Sequence, residues 1–142
     1  MKRHKLIIDA SYAHVRAACA WLHEALSKSI SDEKLYELEL ATSEILTNIV
    51  KHAFDSGRPA CRIHVAIDIH EDMLRILFID NGKRMPGSLA KSLNDSEGKA
   101  MLPSDLDEGG RGIFLIKSCV DKVRYRRFGS NNIMLIVVGG RK

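Results

Sequence analysis

Four apolar runs that fall into two pairs constrain this chain more than any other feature. Ile63, Val65, Ile67 and Ile69 alternate strictly, which is the period of a half-buried strand. Glu71 and Asp72 make a turn, and Met73 to Ile79 returns as a second, more uniformly apolar strand. Val123 to Phe128 and Ile133 to Val138 repeat the arrangement around Gly129, Ser130, Asn131 and Asn132. Two hairpins predict a mixed, mostly antiparallel sheet, with Lys5 to Ile8 as an edge strand. Helical spacing occupies the rest. Ser11 can cap a helix to about Ser29 built on Val15, Cys19, Leu22 and Leu26. Ser31 or Asp32 caps a second to about Phe54, with Leu35, Leu38, Ala41 or Thr42, Ile45, Ile49 and Ala53 as its stripe. Gly112 to about Val120 reads as a third. The order predicts an α+β, two-layer α/β sandwich in which helices cover one face of the sheet.

At 142 residues the chain is expected to form a single domain, residues 1–142. Its 45% hydrophobic and 28% charged residues describe a globular protein. No apolar run approaches the ~20 residues of a membrane-spanning helix, and the basic start MKRHK precedes too short an apolar patch for a signal peptide. The expectation is a cytoplasmic protein that does not bind a membrane. Cys19, Cys61 and Cys119 include no CxxC pair, and the six histidines lack ligand spacing, so no protein-held transition metal is predicted. The net charge of +4 gathers partly at Lys122, Arg124, Arg126 and Arg127. The alternation of the first three reads as a solvated strand face, or as a face for an acidic protein. Nucleic acid is disfavoured, because aromatic interleaving and helix-turn-helix spacing are both missing.

Three elements could build one site. Glu44 and Asn48 lie one turn apart on the second helix. Taken alone they read as part of an exposed stripe with Glu37 and Lys51. However, a mid-helix asparagine has poor propensity, its amide oxygen suits Mg²⁺, and a carboxylate one turn away can act as a general base. Asp80-Asn81-Gly82 comes directly after the apolar strand. Asp80 could accept a hydrogen bond from an exocyclic amine such as that of adenine, with Gly82 letting backbone approach a flat ring, although Asp-Asn-Gly is also ordinary turn chemistry. Glu108-Gly109-Gly110-Arg111-Gly112 then feeds a helix start, where free amides and a positive dipole end suit phosphate. A plain glycine cap is the simpler reading, and the dinucleotide and P-loop patterns do not fit. Between the last two elements, Asn81 to Gly112 holds six of the ten glycines and two of the three prolines, with a short possible helix near Leu89 to Leu93. Long segments of this kind are commonly functional lids or disordered. Together the elements supply what an ATP site needs.

With these residues in view, the chain resembles the GHKL, or histidine kinase-like, ATPase superfamily, which includes gyrase, MutL and histidine-kinase catalytic domains. More closely it resembles the anti-sigma factor serine kinases of bacterial partner-switching systems. SEILTNIVKHAF is similar to their helix motif, DNG to the start of their first glycine box, and EGGRGIFLIKSCVDKVRY to their second box and the elements after it. The resemblance implies ATP and Mg²⁺ as cofactors, Asn48 as the Mg²⁺ ligand, and Glu44 as the base for an attacking serine hydroxyl. It further implies Asp80 and Gly82 at adenine, Gly109, Gly110, Arg111 and Gly112 at the phosphates, and residues 83–108 as an ATP lid. The implied activity is a protein serine/threonine kinase that phosphorylates a STAS-domain anti-anti-sigma factor, sequesters a sigma factor and forms a homodimer. His52 matches the motif without an assigned chemistry. Two departures stand out. Lys83 and Arg84 come after DNG where a second glycine is usual, and Asn131 and Asn132 occupy the region of a usual threonine. The alternative is a partner-switching adaptor that binds the same proteins without phosphoryl transfer: Glu44 and Asn48 favour the kinase, the altered glycine box the adaptor.

Overall fold

The computed structural model describes residues 1–55, 61–95 and 108–139. In chain order the elements are β1 (Lys2–Asp9), α1 (Tyr12–Leu26), α2 (Asp32–Asp55), β2 (Arg62–Ile69), β3 (Met73–Asp80), α3 (Gly87–Asn94), α4 (Glu108–Cys119), β4 (Lys122–Phe128) and β5 (Asn131–Gly139). The strands make one sheet in the order β1-β2-β3-β5-β4. All four neighbouring pairs are antiparallel, so the expected mixed sheet gives way to a fully antiparallel one among the described strands. The reason is topological. The connection after β3 brings the chain back in the direction of β3, but β4 lies at the sheet edge and its hairpin partner β5 takes the place beside β3.

The helices begin where the side chains can satisfy free amides. Ser11 Oγ accepts from the His14 amide at 3.3 Å, and Ser31 Oγ accepts from the Lys34 amide at 3.1 Å. Period-two alternation then sorts the strands. Ile63, Val65, Ile67, Leu74, Ile76, Phe78, Ile136 and Val138 point inward and are buried with Leu22, Leu26, Leu38, Ile45, Leu46 and Ile116 from the helices. Ala41 and Thr42 are both buried on α2. On the other face Lys122, Arg124 and Arg126 are exposed, as their alternation predicts.

Two expectations change. The segment proposed as a lid, residues 83–108, contains a docked helix: Leu93 on α3 is 1% exposed and belongs to the core. The Asn94 side chain bonds the edge of β4 as a neighbouring strand would, donating to the Tyr125 carbonyl at 3.0 Å and accepting from the Tyr125 amide at 2.7 Å. Lys117 Nζ donates to the carbonyls of Ser92 and Asp95, both at 2.7 Å, and so places a positive charge at the C-terminal end of α3. The remainder of the segment expected as a lid, residues 96–107, lies outside the described residues. The second change concerns α4, which starts at Glu108 and not at Gly112, so Gly109, Gly110, Arg111 and Gly112 are helical residues and not a preceding turn.

Candidate functional site

The site lies where the C-terminal end of β3 and the start of β5 face α2 and α4. Register alone assembles its floor. Asp80 stands opposite Asn132 in the β3–β5 pair, and Asn132 stands opposite Arg127 in the β4–β5 pair. Asp80 ends an inward-facing series, so its carboxylate is buried, at 6% exposure, where a run of apolar side chains would otherwise continue. Asp80 Oδ1 accepts from the Gly82 amide at 2.8 Å and from Asn132 Nδ2 at 3.0 Å. The tight turn at Gly82 depends on its lack of a side chain: an added Cβ would sit 3.0 Å from Asp80 Oδ1 and 3.6 Å from Cys61 Sγ.

Burial pushes the Asp80 carboxyl above its usual range, and the hydrogen bonds from Asn132 and Gly82 and the charges of Arg127 and His52 pull it only part of the way back. A carboxyl raised in this way favours the folded state most when protonated. Its contribution falls as pH rises from the unfolded value, about 3.9, through the raised folded one. Asp80→Asn keeps an acceptor for Gly82 and Asn132 and removes the charge. Its melting temperature at pH 7 is expected to equal or exceed that of the parent, with the difference narrowing as pH falls toward about 4. Thermal melts at the two pH values check this. A variant several degrees less stable at pH 7 would show that the buried charge is fully compensated.

Helix α2 forms the facing wall. Asn48 and His52, one turn apart, line a cavity of about 50 Å³ together with Asp80, Lys83, Tyr125 and Asn132. A larger space of about 210 Å³ lies between the ends of α3 and α4 and the start of β4, but contains none of the predicted site residues. The smaller cavity is the candidate site because it brings together two of them, Asn48 and Asp80, whereas Glu44, Gly82 and Gly112 are not in its lining. Asn48 and Glu44 are half-buried, and neither side chain has a hydrogen-bond or ion-pair partner among the described residues. An amide and a carboxylate presented without partners on one helix wall suit an incoming ligand. A lone amide oxygen fits Mg²⁺, which keeps most of its coordination for water and phosphate oxygens.

Glu44 meets α4 directly. A Cβ added at Gly112 would collide with Glu44 Oε1 and lie 3.2 Å from Cδ, so this glycine makes room for the carboxylate. The helix start moves with it. The free amides at this helix start include those of residues 108–110, ahead of the predicted position. Gly109, Gly110 and Arg111 fall within the first turn; Gly112 lies just beyond it and serves Glu44.

Sequence reasoning did not assign Tyr125 and Arg127 to the site. Tyr125 Oη donates to Asn132 Oδ1 at 2.5 Å, and Arg127 Nη1 donates to Asn132 Oδ1 at 3.1 Å and to the Gly82 carbonyl at 2.8 Å. The signal was parity: both residues share the inward alternation of Val123, opposite to Lys122, Arg124 and Arg126. Asn132, noted only as standing in for a threonine, bonds Asp80 itself.

Residues 8–138 match the histidine kinase-like ATPase domain family. The chain is similar to the serine-protein kinase RsbW of Halalkalibacterium halodurans, 30% identical over 95 residues, which are 66% of this chain and 56% of that protein. It is likewise similar to RsbW of Staphylococcus epidermidis, 31% identical over 110 residues, 75% of this chain and 67% of that protein. The matched stretch thus spans little more than half of the first relative and two thirds of the second. In fold it is similar to the RsbU and RsbW domains of a Mycobacterium tuberculosis protein, with a TM-score of 0.67 at 16% identity, covering 98% of this chain and 32% of the other. The mycobacterial sensor histidine kinase MprB gives a TM-score of 0.55 at 17% identity, over 96% and 99% of the two chains.

Proposed function

Because this chain belongs to the histidine kinase-like ATPase domain family, we propose that it is an ATP-dependent serine kinase that phosphorylates a STAS-domain anti-anti-sigma factor and sequesters a sigma factor. The observation that carries the reading is the wall formed by α2. Asn48 faces the same cavity as the buried Asp80, and Glu44, which has no partner among the described residues, lies one turn away against Gly112. Relatives named as serine-protein kinases support the acceptor class.

In this reading Asp80 accepts a hydrogen bond from the adenine amine, and the first-turn amides of α4, with Gly109, Gly110 and Arg111, bind phosphate oxygens. Through its side-chain oxygen Asn48 would hold Mg²⁺, which would supply neutralisation of charge on the phosphates. Glu44 accepts the proton of the serine hydroxyl as its oxygen attacks the γ-phosphorus, and ADP leaves. At about 50 Å³ the cavity is well below the ~300 Å³ at the lower end of small-molecule sites. Nucleotide entry therefore displaces side chains of the lining, of which those of Lys83 and Met85 lie outside regular elements.

We further assign the protein to the cytoplasm and to a homodimer. No helix among the described residues is long and apolar enough to cross a membrane. The outward alternation of the sheet carries Leu77, Ile79, Ile133 and Leu135, all half-buried, and Ile7 at 58% exposure. A second copy would cover them. The altered glycine box favours the adaptor as the second reading, and one experiment separates the two. The purified protein, whose mass in solution reports one chain or two, is incubated with Mg-ATP and a STAS domain. Phosphoserine on that domain is expected; tight complex formation without phosphoserine would leave the adaptor. Asn48→Ala is expected to weaken Mg-dependent ATP binding about tenfold or more while melting within a few degrees of the parent, since it removes a ligand oxygen and no hydrogen bond to a described residue. Unchanged binding in a titration with and without Mg²⁺ would refute the metal role.

A further inference from the structure

The Asn132 amide is held in one orientation. Its Oδ1 accepts from Tyr125 Oη at 2.5 Å and from Arg127 Nη1 at 3.1 Å. Its Nδ2 therefore faces the acceptors on the other side: Asp80 Oδ1 at 3.0 Å, the Lys83 carbonyl at 2.9 Å and the Gly82 carbonyl at 3.4 Å. A flipped amide would put oxygen against three oxygens and nitrogen against two donors. Tyr125 Oη also accepts from the Met85 amide at 3.1 Å, and Arg127 Nη1 donates to the Gly82 carbonyl at 2.8 Å. The DNGKRM segment, which lacks the second glycine, is thus tied to β4 and β5 at Gly82, Lys83 and Met85.

The same arrangement divides the labour of the Asp80 carboxylate. Oδ1 receives two N–H donors, from Gly82 and Asn132, whereas no described residue donates to Oδ2. Both bonds to Oδ1 require an acceptor, which an ionised carboxylate supplies at either oxygen. A 6-amino purine can donate to such an oxygen, whereas a 6-oxo purine presents a carbonyl to it and leaves a buried charge facing a lone pair.

We propose that Asn132, oriented by Tyr125 and Arg127, is a positioning residue for base selection, which occupies Oδ1 of Asp80 and leaves Oδ2 for the exocyclic amine of a 6-amino purine against a 6-oxo purine. The inference rests on the proposed nucleotide site and adds to it the residues that set its selectivity. It also gives the departures in this chain a common cause: the asparagine and the arginine on β5 and β4 hold by hydrogen bonds a segment that the usual second glycine would shape.

The test compares the affinities of Mg-ATP and of Mg-inosine triphosphate, which differ at the purine 6-position, for the parent, Asn132→Leu and Tyr125→Phe. The parent is expected to prefer ATP by about 100-fold or more. Asn132→Leu keeps the volume and removes both ends of the amide. It is expected to shrink that preference about tenfold or more, through weaker ATP binding with inosine triphosphate affected far less. Tyr125→Phe leaves Arg127 on the amide and is expected to shrink it about fivefold. If Asn132→Leu does not fold, Tyr125→Phe decides. Equal losses for both nucleotides would reduce the network to a structural role and overturn the proposal, and so would an unmoved preference. A parent that prefers ATP while the variants keep its ratio overturns this inference alone. A parent that binds neither nucleotide overturns it together with the proposed function.

Discussion

Glu44→Gln is expected to lower serine phosphorylation by about 10²–10⁴-fold, the usual contribution of a general base, while Mg-ATP affinity stays within about threefold. The substitution keeps the size and shape of the side chain and removes its basicity. Glu44 is half-buried and has no hydrogen-bond or ion-pair partner among the described residues, so the fold loses no interaction when the charge goes. The neighbouring Gly112 leaves space for the side-chain end of either residue. The loss should therefore appear in a single-turnover measurement with saturating ATP and STAS domain, and not in the melting curve. A variant that phosphorylates as fast as the parent would sink the role of Glu44. A variant that loses ATP binding in proportion to its rate would reassign the carboxylate to nucleotide or metal binding.

The elements were legible wherever one face of a segment is buried, because burial on one face forces a period on the sequence. Ile63 to Ile69 and Ile133 to Val138 are strands over nearly the residues their alternation marks, and Ser11 caps the helix it precedes. The pairing that builds the site floor was not legible. Asp80 and Asn132 are far apart in sequence and become neighbours through the β3–β5 register, which the packing of the whole sheet sets. Arg127 was hidden by its company. Among four cations on one strand, the three that alternate outward drew attention, and the one of inward parity bonds the site. The start of α4 was obscured for another reason. Gly109, Gly110 and Gly112 have the weakest helix propensity short of proline, yet the segment is helical, and at Gly112 the absent side chain is what lets α4 approach Glu44. The functional pair on α2 could be found in the sequence only in combination. Glu44 and Asn48 take on chemical meaning from Asp80 and Gly112, and tertiary structure supplies those neighbours.

Gly112→Ala is expected to abolish most of the kinase rate, about 10²-fold or more, with a melting temperature equal to or above that of the parent. Position 112 is within α4, where alanine is favoured over glycine by up to about 1 kcal/mol. The new Cβ would collide with Glu44 Oε1 and lie 3.2 Å from its Cδ and 3.4 Å from its Cγ. These atoms belong to the outer part of a side chain with no partner among the described residues to hold it, so rotation of Glu44 relieves the collision at small cost to the fold. What is lost is the position of the carboxylate, and proton acceptance is sensitive to displacements of about 1 Å. The account makes a further demand through a double-mutant cycle. Glu44→Ala removes the atoms that collide, so adding Gly112→Ala to it should change the rate no further. If the double variant is instead slower than Glu44→Ala by about tenfold, residue 112 acts on the nucleotide directly, and its glycine answers to the phosphates and not to Glu44.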